Sequence, residues 1–168
     1  MPVRGSLRDS RWISLVIAAI VIALDRWSKL WIIHHIPIGH ARTIIPGFFR
    51  LTHVLNTGAA FSLFEGSTSP ATVRNLLVAF SVFAVIVVLG LLWKFGREFS
   101  LVSFSLALIL GGALGNLYDR VRFSHVVDFL EVHIVHYHWP DFNVADSCIV
   151  IGACLLLLEI FRAKPEHS

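Results

Sequence analysis

The sequence predicts an all-α membrane protein in which four transmembrane helices carry a small β platform and a loop or helix segment on their outer side. Of its 168 residues, 56% are hydrophobic and 15% are charged, whereas a water-soluble domain has about a quarter charged residues. A helix that crosses a bilayer needs about 20 mostly apolar residues, and the chain contains four such stretches. This composition excludes a disordered chain, a fibre and an ordinary cytosolic enzyme.

The apolar stretches define the predicted spans. The first is 12–33, although its second half contains Asp25, Arg26 and Lys29. Three arginines before an apolar core also resemble a secretory signal peptide, but the small-residue cleavage pattern is missing, so we predict a retained span. The other predicted spans are 72–93, 101–118 and 142–161.

Lysine and arginine predict the orientation, because they are enriched in cytoplasmic loops. They occur in the tail 1–11, the connection 94–100 and the tail 162–168, so both termini are predicted to be cytoplasmic. The longer segments 34–71 and 119–141 then lie on the outer side, and eight of the nine histidines fall in or beside them. We therefore expect the functional groups that contact water on the outer side.

The net charge of +3 does not indicate a nucleic-acid partner. The 14 lysines and arginines are scattered along the chain, and no basic stripe interleaved with aromatic residues occurs. We therefore expect no nucleic-acid binding.

A strand is predicted within the first outer segment. Residues 49–55 alternate apolar and polar side chains and are rich in aromatic and β-branched types. Pro46-Gly47 before them and Asn56-Thr57-Gly58 after them are typical of turns. We therefore expect a small sheet at the outer membrane surface.

Ionisable residues at membrane depth need a partner or a function, because inserting each one costs about 2.5–3.5 kcal/mol. Asp25 and Lys29 are one helical turn apart, which predicts an ion pair on one face of the first span. Asn116 and Arg120 also share a helix face and could together hold a carboxylate or a peptide carbonyl. The alternative for Arg120 is an ordinary arginine that reaches the membrane interface.

Three further acids lie at the outer boundary, and any two of them could form a catalytic pair. Two carboxyl groups brought close share a proton, so the pair contains an acid and a base at one pH and can hydrolyse peptides by activating water. Asp146 is also typical of a capping box with Asn143 as the N-cap, and Asp128 could be a solvated acid in a strand-like loop. The residues alone leave open which two of Asp119, Asp128 and Asp146 would pair.

Other functions are less well supported by the residues. No G-x-S-x-G motif indicates a serine nucleophile. A zinc site could use His133, His136 and His138, but their spacing matches no familiar catalytic ligand set, and we expect solvent-facing histidines. The buried acids could instead form a proton relay in a small transporter, although they gather at one boundary and form no chain across the bilayer.

Five sequence blocks resemble the bacterial lipoprotein signal peptidases, also called signal peptidase II. The resemblance extends over nearly the whole chain. The blocks are Asp25-Arg-Trp-Ser-Lys29, Asn56-Thr-Gly-Ala-Ala-Phe-Ser62, Gly111-Gly-Ala-Leu-Gly-Asn-Leu-Tyr-Asp-Arg120, His125-Val-Val-Asp-Phe129 and Phe142-Asn-Val-Ala-Asp-Ser147.

The resemblance implies the roles of individual residues. The catalytic aspartates of the family map to Asp128 and Asp146, whereas Asp119 is not catalytic in the family. No metal and no cofactor is implied. One departure is Ser124, where many members have glycine. The residues expected to bind substrate or support the pair are Asn56, Asn116, Arg120, Asn143, Asp25 and Lys29.

The resemblance also implies the reaction. The expected protein is an aspartyl endopeptidase that removes the signal peptide from diacylglyceryl-modified prolipoproteins, cleaving just before the lipidated cysteine. We expect Asp146 to be the ionised base and Asp128 to start protonated. The expected location is the bacterial inner membrane, with the active site facing the periplasm. The expected partners are lipid-modified prolipoproteins and membrane lipid, and the chain is expected to be a monomer.

Overall fold

The structure is a computed structural model, and it describes residues 9–58, 69–135 and 137–162. The predicted tails 1–11 and 162–168 and the platform segment 34–71 therefore lie partly outside the described residues. Within them the chain forms four helices and four short strands. In chain order these are α1 Arg11–His35, β1 Ala41–Ile45, β2 Phe49–Asn56, α2 Pro70–Phe95, α3 Leu101–Phe123, β3 Val126–Ile134, β4 Tyr137–His138 and α4 Val144–Arg162.

Three helices of the described chain, α2, α3 and α4, are long and apolar enough to cross a membrane. Helix α1 has 25 residues, and at 1.5 Å per residue it is about 37 Å long. Its second half carries three charged residues, which lowers its apolarity, so its role as a fourth span stays a prediction. Each helix reaches one to five residues beyond at least one predicted span limit, because helical structure continues into the polar residues at the membrane boundary.

Helix α3 lies at the centre of the bundle and packs against the other three helices. Its glycines allow the close approach that their spacing predicts. A Cβ atom at Gly111 would lie 2.7 Å from Val21 Cβ of α1, and one at Gly115 would lie 2.8 Å from an Asp25 oxygen. A Cβ atom at Gly112 would collide with the backbone carbonyl of Ala145 in α4. The three glycines therefore allow α1 and α4 to pack closely against α3.

The predicted platform is observed as a four-stranded antiparallel sheet in the order β1-β2-β3-β4. The strand predicted at 49–55 is β2, and the turn before it contains Gly47 at φ 72°. The sheet packs against the end of α1 through a small apolar cluster. Its buried members are Ile32, Ile36, Val127 and Phe129.

The segment 119–141 differs from its predicted loop or helix. Helix α3 continues to Phe123, and β3 then pairs with β2. A run of β-branched and aromatic residues gives β3 its strand preference, and the exposed edge of β2 provides its partner. Between them, Ser124 adopts a left-handed conformation at φ 65°. Glycine is favoured in that conformation, which gives a physical reason for the glycine that many members of the resembled family have at this position.

The two ends of the helix bundle carry different groups. At one end, the Ser10 N–H donates to the carbonyl of Arg97 at 2.9 Å, and the Arg11 guanidinium donates to the carbonyl of Trp93 at 2.5 Å. The start of α1 therefore lies beside the connection between α2 and α3. The opposite end carries the sheet, the last turns of α3 and the start of α4.

Candidate active site

Asp128 lies on β3 and is held by two asparagines. The side-chain amide of Asn56, at the end of β2, donates to Asp128 Oδ2 at 2.8 Å. The amide of Asn143 donates to Asp128 Oδ1 at 2.7 Å. Asn56 cannot readily reverse its amide, because its Oδ1 accepts the backbone N–H of Gly58 at 2.8 Å. Asp128 is 2% exposed and therefore sits almost out of water.

Asp146 lies in the first turn of α4 and forms the predicted capping box with Asn143. The Asp146 N–H donates to Asn143 Oδ1 at 3.0 Å, and the Asn143 N–H donates to Asp146 Oδ2 at 3.2 Å. The amide of Asn116 in α3 donates to the other carboxylate oxygen of Asp146 at 2.7 Å. The helix N-terminus adds a favourable potential for an anion. The geometry is therefore suited to an ionised Asp146.

Asn143 brings the two aspartates together, because it contacts both of them. It reaches Asp128 because Phe142, just before it, bridges to Leu130 of β3. Burial raises the pKa of Asp128 to about 6. The charge of Asp146 also raises this pKa, whereas the hydrogen bonds from Asn56 and Asn143 lower it. The two carboxyl groups therefore interact, and Asp128 holds its proton at a higher pH than an isolated aspartate.

Arg120 lies beside this pair, as its spacing from Asn116 predicts. Its guanidinium donates to the Asn116 carbonyl at 3.5 Å, and it interacts electrostatically with Asp119, Asp128 and Asp146. In the described part of the chain, its side chain makes no ion pair within 4.0 Å with any of these acids. It therefore supplies a positive potential without neutralising one carboxylate.

The predicted ion pair of Asp25 and Lys29 is present and extends to a third residue. Lys29 Nζ lies 2.7 Å from Asp25 Oδ2 and 2.7 Å from Asp119 Oδ2. Arg26 approaches the other oxygen of Asp119 at 3.4 Å. We call Asp25, Lys29 and Asp119 the lysine cluster. Asp119, the third acid that the sequence left open, is therefore paired with cations.

Two hydrogen bonds connect the lysine cluster to α3 and α4. Lys29 Nζ donates to Asn116 Oδ1 at 3.1 Å, and the same asparagine donates to Asp146. The Ala145 N–H, at the start of α4, donates to Asp25 Oδ1 at 3.0 Å. Neither these links nor the pairing of Asp119 was predicted, because each joins residues about 90 or more positions apart. The spacing of the residues carries no signal for such pairs.

The histidines of the zinc alternative lie elsewhere. His133 and His138 come together with Glu131 at the far end of β3, and His136 lies outside the described residues. In the described ranges, the acids and histidines with metal-ligand spacing do not include Asp128 or Asp146. A metal ion bound by these histidines would therefore not be bound by the two aspartates.

Comparison with known proteins identifies the family. Residues 17–162 match the family model described as Peptidase_A8, Signal peptidase (SPase) II. The chain belongs to the signal peptidase II family. A lipoprotein signal peptidase of Solibacter usitatus is 42% identical over 160 residues, which cover 95% of this chain and 97% of the relative. One from Pseudomonas putida is 39% identical over 169 residues and covers 100% of this chain and 98% of the relative.

Solved structures agree with this family. A bacterial membrane enzyme determined by the in meso method superposes with a TM-score of 0.81 at 29% identity, covering 91% of this chain and 95% of that chain. A second one superposes with a TM-score of 0.79 at 28% identity, covering 94% and 92%. This signal peptidase II is therefore a membrane protein and a peptide hydrolase, and the family decides against the transporter alternative.

Proposed function

We propose that this signal peptidase II removes signal peptides from prolipoproteins by an aspartic mechanism, with Asp128 and Asp146 as the catalytic pair. The observation that carries the proposal is the double contact of Asn143, which donates its side-chain amide to Asp128 and its backbone N–H to Asp146. One buried residue therefore contacts two carboxyl groups that come from different elements. Asp119 is the alternative acid, and its pairing with Lys29 makes it unsuitable for proton transfer.

The two environments support different roles for the acids. Asp146 accepts hydrogen bonds at both oxygens and lies at a helix N-terminus, so it acts as the ionised base that takes a proton from water. Asp128 is buried with its pKa raised to about 6, so it acts as the acid that donates to the carbonyl oxygen. The oxygen of the deprotonated water forms the new bond to the carbonyl carbon. Collapse of this intermediate breaks the C–N bond: the leaving nitrogen takes the proton that Asp146 received from water, and one hydroxyl group of the intermediate returns a proton to Asp128.

Asn116 and Arg120 are proposed to hold the substrate backbone beside the pair, and Asn56, Asn143, Asp25 and Lys29 to support it. Arg120 has guanidinium donors that no described carboxylate pairs with, so they are free to bind a peptide carbonyl. The side chain of Asp146 is half-buried, which leaves the pair open on one side. A signal helix lying in the membrane would bring the scissile bond to this opening, and membrane burial would supply much of the orientation.

The membrane arrangement is part of the proposal. We propose that α1 is a fourth span and that the bundle end with Arg11 and Arg97 faces the cytoplasm, in agreement with the distribution of lysine and arginine. The active site then faces the periplasm from the inner membrane, and the protein acts as a monomer in contact with membrane lipid. The proposed substrate carries a diacylglyceryl group on the cysteine that follows the cleaved bond.

Cleavage of a diacylglyceryl-modified precursor by the purified full-length protein tests the proposal. Asp128→Asn and Asp146→Asn are nearly isosteric and remove one titrating group each. We expect each to lower kcat/KM by about 10²–10⁴-fold, the range for loss of a general acid or base. Asp119→Asn is the control and should retain turnover. The pair would be wrong if Asp119→Asn abolished cleavage while either of the other variants cleaved normally.

A further inference from the structure

A second group of ionisable side chains lies at the hairpin between β3 and β4. It comprises Glu131, His133 and His138, which we call the hairpin cluster. His133 and His138 are directly opposite each other in the strand pair. Glu131 Oε1 lies 2.5 Å from His138 Nε2 and 3.3 Å from His133 Nε2. The three possible ligand atoms all lie within 4.8 Å of one another.

The three atoms form a donor set that suits zinc. Two imidazole nitrogens and one carboxylate oxygen are common zinc ligands at about 2.0–2.2 Å from the metal, and a tetrahedral site therefore places ligand atoms about 3.3 Å apart. Glu131 and His133 already have this separation. His138 would have to move away from Glu131 by less than about 1 Å. Its side chain is 47% exposed on a two-residue edge strand, so little packing opposes that movement.

Arg50 gives the cluster a supporting partner outside the three ligands. Its Nε pairs with Glu131 Oε2, and its Nη2 donates to Oε1 at 2.8 Å. The Nε contact can remain when Oε1 turns to a metal. A hydrogen-bonded second oxygen orients a carboxylate ligand, and such outer partners typically strengthen metal binding. The Glu131 side chain is 4% exposed, so its orientation is already restricted before a metal binds.

We propose that Glu131, His133 and His138 bind one Zn²⁺ ion that joins β4 to β3. The partly exposed histidines leave the fourth position open to water. Alternate residues of a strand point to opposite faces, so Glu131 points away from Asp128, which lies three positions earlier. The zinc is therefore structural: it holds the hairpin that precedes Asn143 and takes no part in the peptide cleavage.

Calorimetric titration of Zn²⁺ tests the site. The full-length protein in detergent would be treated with EDTA, freed of the chelator and titrated with Zn²⁺ alone. We expect one Zn²⁺ per chain and a higher midpoint of thermal unfolding in its presence, because the folded hairpin binds and the unfolded chain does not. Absence of saturable binding by the wild-type protein would overturn the proposal.

Single variants assign the ligands. Loss of an outer-shell partner already weakens metal binding by about 10–100-fold, so loss of a ligand in His133→Ala or His138→Ala should weaken it by about 100-fold or more. His34→Ala removes an exposed histidine at the end of α1 and should bind Zn²⁺ as the wild type does. Undiminished binding by His138→Ala, or an equal loss in His34→Ala, would contradict the assignment.

Precursor cleavage separates this site from the proposed active site. The His138→Ala variant and the EDTA-treated wild type should cleave the lipidated precursor at the wild-type rate at a temperature where they stay folded. Loss of cleavage in both, with Asp128→Asn still active, would mean that the metal serves the reaction, and the structural role would be wrong. Failure of Zn²⁺ to bind would leave the aspartate pair unaffected.

Discussion

Two groups of carboxylates lie side by side in this protein and differ in what surrounds them. In the lysine cluster, Asp25 and Asp119 share one ammonium group at 2.7 Å from each. In the proposed catalytic pair, Asp128 and Asp146 are bound by the amides of asparagines. Within the described ranges, neither acid of the pair lies within 4.0 Å of a lysine or arginine nitrogen.

The difference separates a structural acid from a reactive one. A carboxylate beside a cation is stabilised in its charged form and is a poor proton carrier near neutral pH. A carboxyl group bound only by neutral amides has no full opposite charge beside it, so burial and a neighbouring acid can outweigh its hydrogen bonds and raise its pKa, as they do for Asp128. The lysine cluster therefore supports the fold, whereas the asparagine-bound pair is suited to exchanging protons.

Removing the cation is the most severe test of this comparison. Lys29→Met leaves two buried carboxylates without their common partner, and breaking a buried ion pair typically costs about 3–5 kcal/mol. We expect a loss of that size in the free energy of unfolding, measured by denaturation in detergent.

Two further variants check the cause of that loss. Lys94→Met removes an exposed lysine at the end of α2 and should change the free energy of unfolding by less than about 0.5 kcal/mol. The double variant Lys29→Met, Asp119→Asn should recover part of the loss, because one unpaired acid is then neutral. A loss below about 1 kcal/mol in Lys29→Met would show that the cluster is not structural.

The second prediction concerns the residue that joins the pair. Asn143→Ala removes the amide that orients Asp128 and the oxygen that caps Asp146. Because small misplacements of reacting groups can cost about 10²-fold, we expect kcat to fall by about that factor while KM changes little. Asn75→Ala removes an exposed asparagine on α2 and serves as the control. A change in KM alone would instead place Asn143 in substrate binding.

Local features of the sequence predicted part of both groups. Asp25 and Lys29 are four residues apart in one helix, and Asn143 and Asp146 are three apart at a helix start, so helix geometry alone predicted their contacts. Apolar runs predicted the helices, and alternation predicted β2. The choice of Asp128 over Asp119 came from the family resemblance, because the spacing of the three acids left it open.

The remaining contacts depend on tertiary structure. The partnership of Asp119 with Lys29 requires α3 to pack on α1, and the contact of Asn143 with Asp128 requires Phe142 to bridge to Leu130. The pairing of β3 with β2 also turned a predicted loop or helix into a strand. A single sequence contains no information about which distant residues pair, so local sequence patterns could not predict these contacts.

The third prediction tests the contact between the two groups. Gly112 of α3 lies against the backbone of Ala145, which donates to Asp25 and precedes Asp146. In Gly112→Ala the added methyl group must separate α3 from α4, and overpacking of this kind costs about 1–3 kcal/mol. Gly90→Ala is the matched control, because a Cβ atom there would have no neighbour within 4 Å. Equal unfolding midpoints for the two variants would contradict the tight contact.

The smallest expected effect is a change in the pH profile. In the proposed mechanism Asp128 holds a proton, and its pKa is about 6, so kcat/KM of the wild type should fall as pH rises above about 6. The hydrogen bond from Asn56 stabilises the charged form of Asp128 and lowers this pKa. Asn56→Ala removes that bond, favours the protonated form and should therefore move the alkaline limb to higher pH.

The size of this shift follows from the strength of one hydrogen bond. A net contribution of about 1 kcal/mol, at 1.36 kcal/mol per pKa unit, corresponds to roughly half to one pH unit. Measurement of kcat/KM for wild type and Asn56→Ala between about pH 5 and 8 resolves a shift of this size, since each limb falls about tenfold per pH unit. If the acidic limb moved to higher pH while the alkaline limb stayed in place, Asp128 would act in its charged form, and the acid and base roles of the two aspartates would have to be exchanged.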